Sequence, residues 1–255
     1  MKNITYISKK WWFFLVLLVT QSVLLPFASR NFDMGNINDI IYTTLGNAFQ
    51  TQIGTYNVYF QTLSLLMLIL LVVFRNKMKL VFTIYVAVSY IAFAFIQNIA
   101  ITEKYGLSIV TVNLVMFLFV AYVWIREIFQ AKNDYSFSNF RWKYSWMIIL
   151  SLFAYLCPIS ANGGFDFNPV RFFYMNSATA FCLTTPLFLT ILTLNIPNIN
   201  IVTYRITAII GVIIGLYNMM SFFNPDTINL GVLHIPLLVI SLYSCILSYK
   251  IDKKK

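Results

Sequence analysis

The sequence predicts an all-α integral membrane protein, a polytopic helical bundle of about eight transmembrane helices with both termini in the cytoplasm. Three observations predict this fold class: the composition, the length of the apolar runs and the placement of the basic residues. Of the 255 residues, 60% are hydrophobic and only 10% are charged, and the mean hydropathy is +0.77. Because a soluble domain carries about 25% charged residues, we expect the lipid bilayer to be the solvent of this chain.

Eight apolar runs of 17 to 23 residues follow one another along the chain. An α-helix needs about 20 residues to cross a hydrocarbon core of about 30 Å, so each run is long enough for one crossing. Residues 1–255 therefore form a single transmembrane domain. The predicted spans are 11–28, 57–74, 80–100, 107–129, 144–160, 176–194, 201–222 and 228–249.

The basic residues divide unequally between the two sides of this topology. With a cytoplasmic N-terminus, 15 of the 18 Lys and Arg residues fall inside, and only Arg30, Lys104 and Arg171 fall outside. Because basic loops stay in the cytoplasm, this asymmetry predicts the orientation and a place in the plasma membrane. The first apolar run lacks a good cleavage site, so we expect an uncleaved first span instead of a signal peptide.

Two loops are long enough to have a structure of their own. In the outer loop 29–56, apolar residues recur at helical spacing, which predicts a short interfacial helix over about 36–50. This helix either covers the rim of the bundle or forms a lid. The inner loop 130–143 mixes basic and aromatic residues, and it either contacts lipid headgroups or docks a cytoplasmic protein such as an ATPase subunit.

The two halves of the chain share a faint pattern, which indicates two parallel repeats of four spans. Each half begins with a basic residue and a nearby tryptophan and has a proline near the end of its first span. In this alignment Asn98 corresponds to Asn218, and Asn113 corresponds to His234. Because the halves have the same orientation, an axis along the membrane normal would relate them.

Several classes of chemistry lack the residues that they need. No Asp or Glu lies well inside a span, and Arg126, Glu127 and Arg205 are close enough to a span end to snorkel. One histidine and three cysteines without ligand spacing do not predict a metal or haem site, so we expect no cofactor. The net charge of +10 reflects orientation in the membrane and does not indicate nucleic-acid binding.

Uncharged polar residues in the outer half of the bundle are the candidate functional residues. An unpaired polar group is costly in hydrocarbon, so these side chains face one another, the backbone or water. Ordinary interhelical hydrogen bonds would explain each of them alone. Their shared depth instead predicts a polar pocket beneath the loop at Gly163 and Gly164. The pocket residues are Gln61, Asn98, Asn113, Thr184, Thr185, Asn218 and His234, with Arg171 at the mouth.

The prolines and glycines of the last three spans add to this picture. Pro186 and Pro236 interrupt the sixth and eighth spans and free backbone carbonyls near the pocket. Gly211 and Gly215 form a GxxxG motif, which favours close helix packing. For Arg171 there are two interpretations, a contact with an anionic ligand or a salt link to Asp166.

Three functions agree with these patterns. The first is a carrier or permease component for a small solute, which would use the polar pocket. The second is a non-transporting subunit, assembly factor or immunity-type protein that docks a partner through loop 130–143. The third is a membrane-embedded enzyme in which His234 acts as a general base oriented by Asn113, although the chain carries none of the common hydrolase or nucleotide-binding motifs.

Overall fold

The computed structural model describes residues 2–138, 140–159, 164–223 and 225–252, and it is 76% helical. Gly163 of the predicted loop and Ser160 at the end of span 144–160 lie outside these residues. The helices are α1 (Lys2–Ile7), α2 (Trp11–Val23), α3 (Ile37–Gly46), α4 (Phe49–Gln52), α5 (Asn57–Phe74), α6 (Lys79–Ile96), α7 (Thr111–Gln130), α8 (Ser145–Leu156), α9 (Pro169–Tyr174), α10 (Phe181–Leu194), α11 (Ile201–Asn218) and α12 (Ile228–Asp252). The strands are β1 (Phe27–Ala28), β2 (Ile99–Thr102) and β3 (Gly106–Ile109).

Contacts between distant parts of the chain define two ends of the bundle. At one end, the strands pair and bring the ends of α2 and α6 beside the start of α7; we call this the sheet end. At the other end, Arg205 at the start of α11 donates to the hydroxyls of Ser8 and Ser248, which lie before α2 and late in α12. Basic residues of the connections 75–79 and 131–144 lie there as well, and we call it the basic end. Helices α1 and α12 therefore bring the first and last described residues to the same end.

The helices α5 and α6 run in opposite directions. Gln61, near the start of α5, accepts a hydrogen bond from the backbone N–H of Ala178. Gln97, just after α6, accepts one from the N–H of Phe181, three residues further along. Since both glutamines meet the same segment, the chain must reverse between them. The reversal lies at Arg75, whose φ of 49° ends α5.

Four helical runs in the described part of the chain are long and apolar enough to cross a membrane, and a bent pair adds a fifth. Other predicted spans contain shorter helices. The helices α2, α8 and α10 have 13, 12 and 14 residues, which corresponds to about 18–21 Å at 1.5 Å per residue. The runs of sufficient length are Gly54–Ile96, Thr111–Gln130, Ile201–Phe223 and Ile228–Ile251, and the bent pair is Pro169–Thr179 with Phe181–Leu194.

A small antiparallel sheet replaces the outer ends of the predicted spans 11–28, 80–100 and 107–129. Its strand order is β1-β3-β2, with β2 and β3 forming a hairpin. Helix α6 ends at Ile96 because the amide of Asn98 donates to the carbonyls of Phe93 and Ala94, which otherwise lack a helical partner. Gly106 turns the hairpin with a φ of +62°, and a Cβ there would lie 2.3 Å from the Ser29 hydroxyl.

The predicted outer helix 36–50 is divided into α3 and α4, and α3 is attached to the hairpin by charge. Asp39 of α3 accepts hydrogen bonds from Lys104, at 2.8 Å, and from the Tyr105 hydroxyl. These bonds lower the pKa of the Asp39 carboxyl, and the bond from Lys104 has the largest effect. Helix α3 is therefore linked to the hairpin by an exposed ion pair.

We expect acid to detach α3 from the hairpin. The pKa of the Asp39 carboxyl is lower in the folded protein than in the unfolded chain. The stability that the ionised carboxylate contributes is therefore fully present above the usual carboxyl pKa of about 3.9. This stability is lost as the pH falls through the lower pKa of the folded state. Hydrogen exchange of α3 and the hairpin, expressed relative to the intrinsic exchange rate at each pH, should increase at pH 3 relative to pH 7. Asp39→Asn should show the same increase at pH 7, whereas Asp33→Asn, on the same loop, should not. Equal exchange in Asp39→Asn and wild type would contradict this prediction.

Helix α10 lies at the centre of the bundle. All 14 of its residues are buried, and it packs against α6, α8, α11 and α12. The ring of Phe181, its first residue, stacks on Phe117 of α7 with 4.1 Å between centroids. A helix that is apolar and buried on every side belongs to the interior of a large bundle, so α10 is the axis around which the other helices pack.

The predicted close packing at the GxxxG motif of α11 is present. A Cβ added to Gly211 would lie 2.2 Å from the Ser241 hydroxyl, and one added to Gly215 would lie 3.0 Å from the Cα of Leu238. Both contacts are on α12, so the two helices cross backbone to backbone at these glycines. The small residues permit this approach.

The two halves of the chain are alike in part of their architecture only. The third and fourth helices of each half, α6 with α7 and α11 with α12, are in extensive contact. The second helices differ, because α10 is buried throughout whereas α5 exposes side chains such as Leu63 and Val72. The internal repeat therefore stays a prediction.

Candidate functional site

A break in the helical backbone at the sheet end is the most unusual feature of the bundle. The axis of Pro169–Thr179 makes an angle of 87° with that of Phe181–Leu194. At such a bend, backbone N–H and C=O groups lose their helical partners, and within a bilayer they must find others. We call residues 172–181 the elbow.

Gln61 holds the Pro169–Thr179 arm of the elbow. Its side chain is fully buried; its amide nitrogen donates to the carbonyl of Phe172 at 3.1 Å, and its amide oxygen accepts from the N–H of Ala178 at 2.9 Å. One side chain thus replaces two helical bonds. Gln61, which was predicted to line a pocket, therefore hydrogen-bonds to the backbone of its own protein.

Four further side chains satisfy the elbow in the same way. Gln50 donates to the carbonyl of Asn176, and Asn57 donates to that of Tyr174, each at 3.3 Å. Gln97 accepts from Phe181 N–H at 3.0 Å. The predicted residue Thr184 donates to the carbonyl of Ser177 at 2.5 Å. These bonds join α4, α5, the end of α6 and α10 around one segment.

Two buried polar atoms of this region have no hydrogen-bond partner among the described residues. They are the amide oxygen of Asn57 and the hydroxyl of Ser177, and these residues are 5% and 0% exposed. The amide nitrogen of Asn57 already faces the carbonyl of Tyr174, so its oxygen must be an acceptor. Buried polar atoms of native proteins nearly always have a partner, and these two are therefore available to a water molecule or a solute.

The remaining predicted pocket residues lie apart from the elbow contacts. Thr185 accepts from the buried hydroxyl of Tyr90 at 3.2 Å, in the interior next to α6. Asn98 caps α6, and its own amide oxygen is buried without a partner among the described residues. Asn113 accepts from Gln21 at 3.4 Å, which links α7 to α2.

Asn218 and His234 belong to the packing of α10, α11 and α12. The amide of Asn218 donates to the sulfur of Cys182 at 3.0 Å. The Nδ1 atom of His234 is buried without a hydrogen-bond partner among the described residues. Asn113, the partner predicted for His234, is bonded to Gln21 instead. Cys157 and Cys182 are both free thiols.

Arg171 lies on α9, directly before the elbow. Its guanidinium donates to the carbonyl of Ile159 at 2.7 Å and lies 3.5 Å from the carboxylate of Asp166. The salt link is thus the interpretation that the contacts of Arg171 support. It connects α9 to the turn that follows α8.

A second buried polar cluster, at the basic end, was not predicted. Glu127 is only 1% exposed, and its carboxylate accepts from the N–H of Asn133 at 2.6 Å and from the amide of Asn200 at 2.5 Å. The amide oxygen of Asn133 in turn accepts from the N–H of Asn200 at 2.7 Å. The expectation that Glu127 snorkels is wrong, because these neighbouring loops fold over it. The sequence signal that we overlooked is the group of asparagines at 195, 198 and 200, directly before α11.

Arg205 is likewise buried, with 0% of its surface exposed, and does not snorkel. Its guanidinium contacts Ser8 and Ser248 and lies 4.7 Å from the ring centre of Tyr249. These contacts fasten the N-terminal segment to α11 and α12. Arg126, by contrast, is half-buried beside the ring of Tyr122 and is free to reach the interface.

The structure thus divides the predicted pocket into two sets. Gln61 and Thr184 meet at the elbow, while the other predicted residues serve separate helix contacts. Among the described residues, no group of three or more His, Cys, Asp and Glu side chains is placed to hold a metal ion. No protein-family model, curated protein or solved structure matches this chain.

Proposed function

We propose that this chain is a membrane carrier, or the permease component of one, that binds a small solute at the elbow. The observation that carries the proposal is the 87° break before α10, at which side chains replace the helical bonds of the backbone. Carriers commonly bind their solutes at interrupted helices, because freed backbone groups and nearby polar side chains can bind a ligand there.

The free atoms at the elbow favour a solute that donates hydrogen bonds. The Asn57 amide oxygen is an acceptor, and the Ser177 hydroxyl can accept as well. Polyols, amides and ammonium compounds donate such hydrogen bonds. The Arg171 guanidinium, the nearest fixed positive charge, is already paired with Asp166, so an anionic solute is the less favoured class.

We further propose eight spans with the basic end in the cytoplasm of a plasma membrane. Several observations support this count. The run Gly54–Ile96 has 43 residues, about 65 Å as one helix at 1.5 Å per residue, twice the width of the hydrocarbon core, and it reverses at Arg75. Helices α2 and α10 are short, but the sheet extends the end of α2 and the elbow extends the start of α10. Exposed basic residues at one end agree with the positive-inside rule.

Water access to Ser177 tests the carrier proposal. Ser177 is fully buried in this conformation, but a carrier must open its site to one side of the membrane. In a background with Cys157, Cys182 and Cys245 replaced by serine, we expect Ser177→Cys in vesicles to react with a charged methanethiosulfonate at least ten times faster than Ser151→Cys. An excess of glycerol, urea or ethylammonium that occupies the site should slow this reaction.

Ser151 is a matched control because it is also fully buried, but on α8, where its hydroxyl donates to the carbonyl of Ile148. Labelling of Ser177→Cys that is no faster than that of Ser151→Cys would argue that the elbow never opens. The carrier proposal would then be wrong. Labelling of both positions at the same high rate would indicate a loosened fold and would also count against it.

The two other functions stay predictions. A subunit that docks a protein partner needs only the surface of loop 130–143, whose exposed side chains are described below. An enzyme based on His234 needs a group that orients the imidazole, and the residue predicted for that role, Asn113, is bonded elsewhere. The elbow favours neither function, and this is why we place the carrier first.

A further inference from the structure

The connection between α7 and α8 is held against the basic end by its backbone. The N–H groups of Asn133, Tyr135 and Phe137 donate to the side chains of Glu127, Asn76 and Asn195, at 2.6 to 2.9 Å. Three different elements of the bundle thus bind alternate residues of one loop. The side chains that point away from the bundle are therefore held at defined positions.

Exposed basic and aromatic side chains flank this anchored segment on both sides, and we call them the loop platform. Phe129 and Trp142 are 83% and 81% exposed, although they are among the largest apolar side chains of the protein. Lys132, Arg141 and Lys143 are exposed around them. The loop platform consists of Phe129, Lys132, Arg141, Trp142 and Lys143.

The positive charge of the loop platform is not cancelled by neighbouring acids. In the described part of segment 126–143 the acidic residues are Glu127 and Asp134. Glu127 is buried in its asparagine cluster, and Asp134 is half-buried and accepts from the N–H of Ser136. Arg75 and Lys77 are exposed on the adjacent turn, and Lys79 of that turn donates to the carbonyl of Ala131. The two basic segments are thus joined into one positive face.

We propose that the loop platform is a docking surface for the phosphate headgroups of anionic phospholipids, with Trp142 and Phe129 seated at the boundary between headgroups and acyl chains. Lysine and arginine beside a span attract anionic lipid, and indole rings prefer this boundary. Phe129 belongs to the last turn of α7, so the platform starts where that helix leaves the hydrocarbon. A protein partner would not require the aromatic side chains to lie at membrane level. The inference goes beyond the carrier proposal and does not depend on it.

Lipid titration of the full chain by native mass spectrometry tests the proposal. The probes are phosphatidylglycerol and phosphatidylcholine with identical acyl chains, added to the delipidated protein in detergent. We expect wild type to bind phosphatidylglycerol more tightly than phosphatidylcholine. In the double variant Arg141→Gln with Lys143→Gln, the apparent affinity for phosphatidylglycerol should fall at least fivefold, while binding of phosphatidylcholine stays the same. Trp142→Ala should weaken both lipids to a similar extent.

Arg30→Gln, an exposed arginine at the sheet end, is the control and should bind both lipids as wild type does. Since all the substituted side chains are exposed, the variants should fold, and equal melting temperatures would verify this. Equal affinity of wild type for the two lipids, or an unchanged affinity in the double variant, would overturn the proposal. A loss of phosphatidylglycerol binding in Arg30→Gln as large as in the double variant would overturn it as well. An unchanged lipid affinity together with a photo-crosslink from position 142 to one protein would assign the surface to a protein partner instead.

Discussion

Glu127→Ala should lower the free energy of unfolding by roughly 3–5 kcal/mol and release the loop that follows α7. The carboxylate of Glu127 accepts from Asn133 N–H and from the Asn200 amide in a site that is 1% exposed. Hydrogen bonds to a charged group contribute about 1.5–3 kcal/mol each, and a buried donor left without an acceptor is costly. The substitution removes both bonds at once.

Two measurements check the Glu127 prediction. Thermal unfolding in detergent should show a melting temperature lower by roughly 10 °C, on the scale expected for a chain of this size. Hydrogen exchange should increase in residues 131–138 and at the start of α11. Glu127→Gln should be less affected, because the neutral amide keeps one acceptor oxygen.

Gln130→Ala is the matched control. Gln130 is also at the end of α7 and accepts from the same Asn200 amide, at 3.2 Å, but it is half-buried and makes one weaker contact. We expect an effect of less than about 1 kcal/mol for this neutral bond. Comparable losses in Gln130→Ala and Glu127→Ala would contradict the view that the carboxylate organises the basic end.

Gln61→Leu should lower the free energy of unfolding by about 2–4 kcal/mol and loosen the elbow. Leucine fills a similar volume, so the expected loss comes from the Phe172 carbonyl and the Ala178 N–H, which are each left without a partner. Hydrogen exchange should increase in residues 172–181 and stay low in α11. The melting temperature should fall in parallel.

The lipid-facing residue Leu63 supplies the control for Gln61. It lies two positions along the same helix and is 49% exposed, so Leu63→Ala should change stability by less than about 1 kcal/mol, because an exposed side chain has few contacts within the protein to lose. If Gln61→Leu left the exchange of the elbow unchanged, the glutamine would not be its clamp. The elbow would then be held by Gln50, Asn57, Gln97 and Thr184.

The two predictions reveal a common use of polar residues in this bundle. At each end, buried amide or carboxylate side chains satisfy backbone groups of a non-helical segment, the elbow at the sheet end and the loop after α7 at the basic end. Within a bilayer, irregular backbone is tolerated only where such partners exist. The two ends differ in one respect on which the carrier proposal depends. At the elbow, the amide oxygen of Asn57 and the hydroxyl of Ser177 have no hydrogen-bond partner among the described residues.

The amino-acid sequence determined the class of the protein and much of its arrangement along the chain. Composition and run length predicted a helical membrane protein, which the apolar helices support. The GxxxG of α11 predicted a close crossing, and Gly211 and Gly215 lie in one. These features depend on local composition and on residues within two helical turns of each other, so they can be predicted without knowledge of the partners.

The sequence did not predict where the helices stop. Residues 99–100 and 107–109 continue the apolar runs of the predicted spans 80–100 and 107–129, and an apolar run does not by itself distinguish a helix end from a buried strand. Pairing with β1, more than seventy residues earlier in the chain, selects the strand. In the same way, α10 was predicted to begin at residue 176, but the contacts of Gln61 and Gln97 hold residues 176–180 in a bent conformation.

Only the tertiary structure decided what the polar side chains do. Gln61 and Ala178 are 117 residues apart, and Glu127 and Asn200 are 73 apart. From the sequence, a buried glutamine that lines a pocket and one that holds a backbone look the same, because both must be satisfied in hydrocarbon. Which of these two roles a polar side chain has depends on which unpaired group the fold brings within hydrogen-bonding distance of it. That distance is a property of the packed bundle alone.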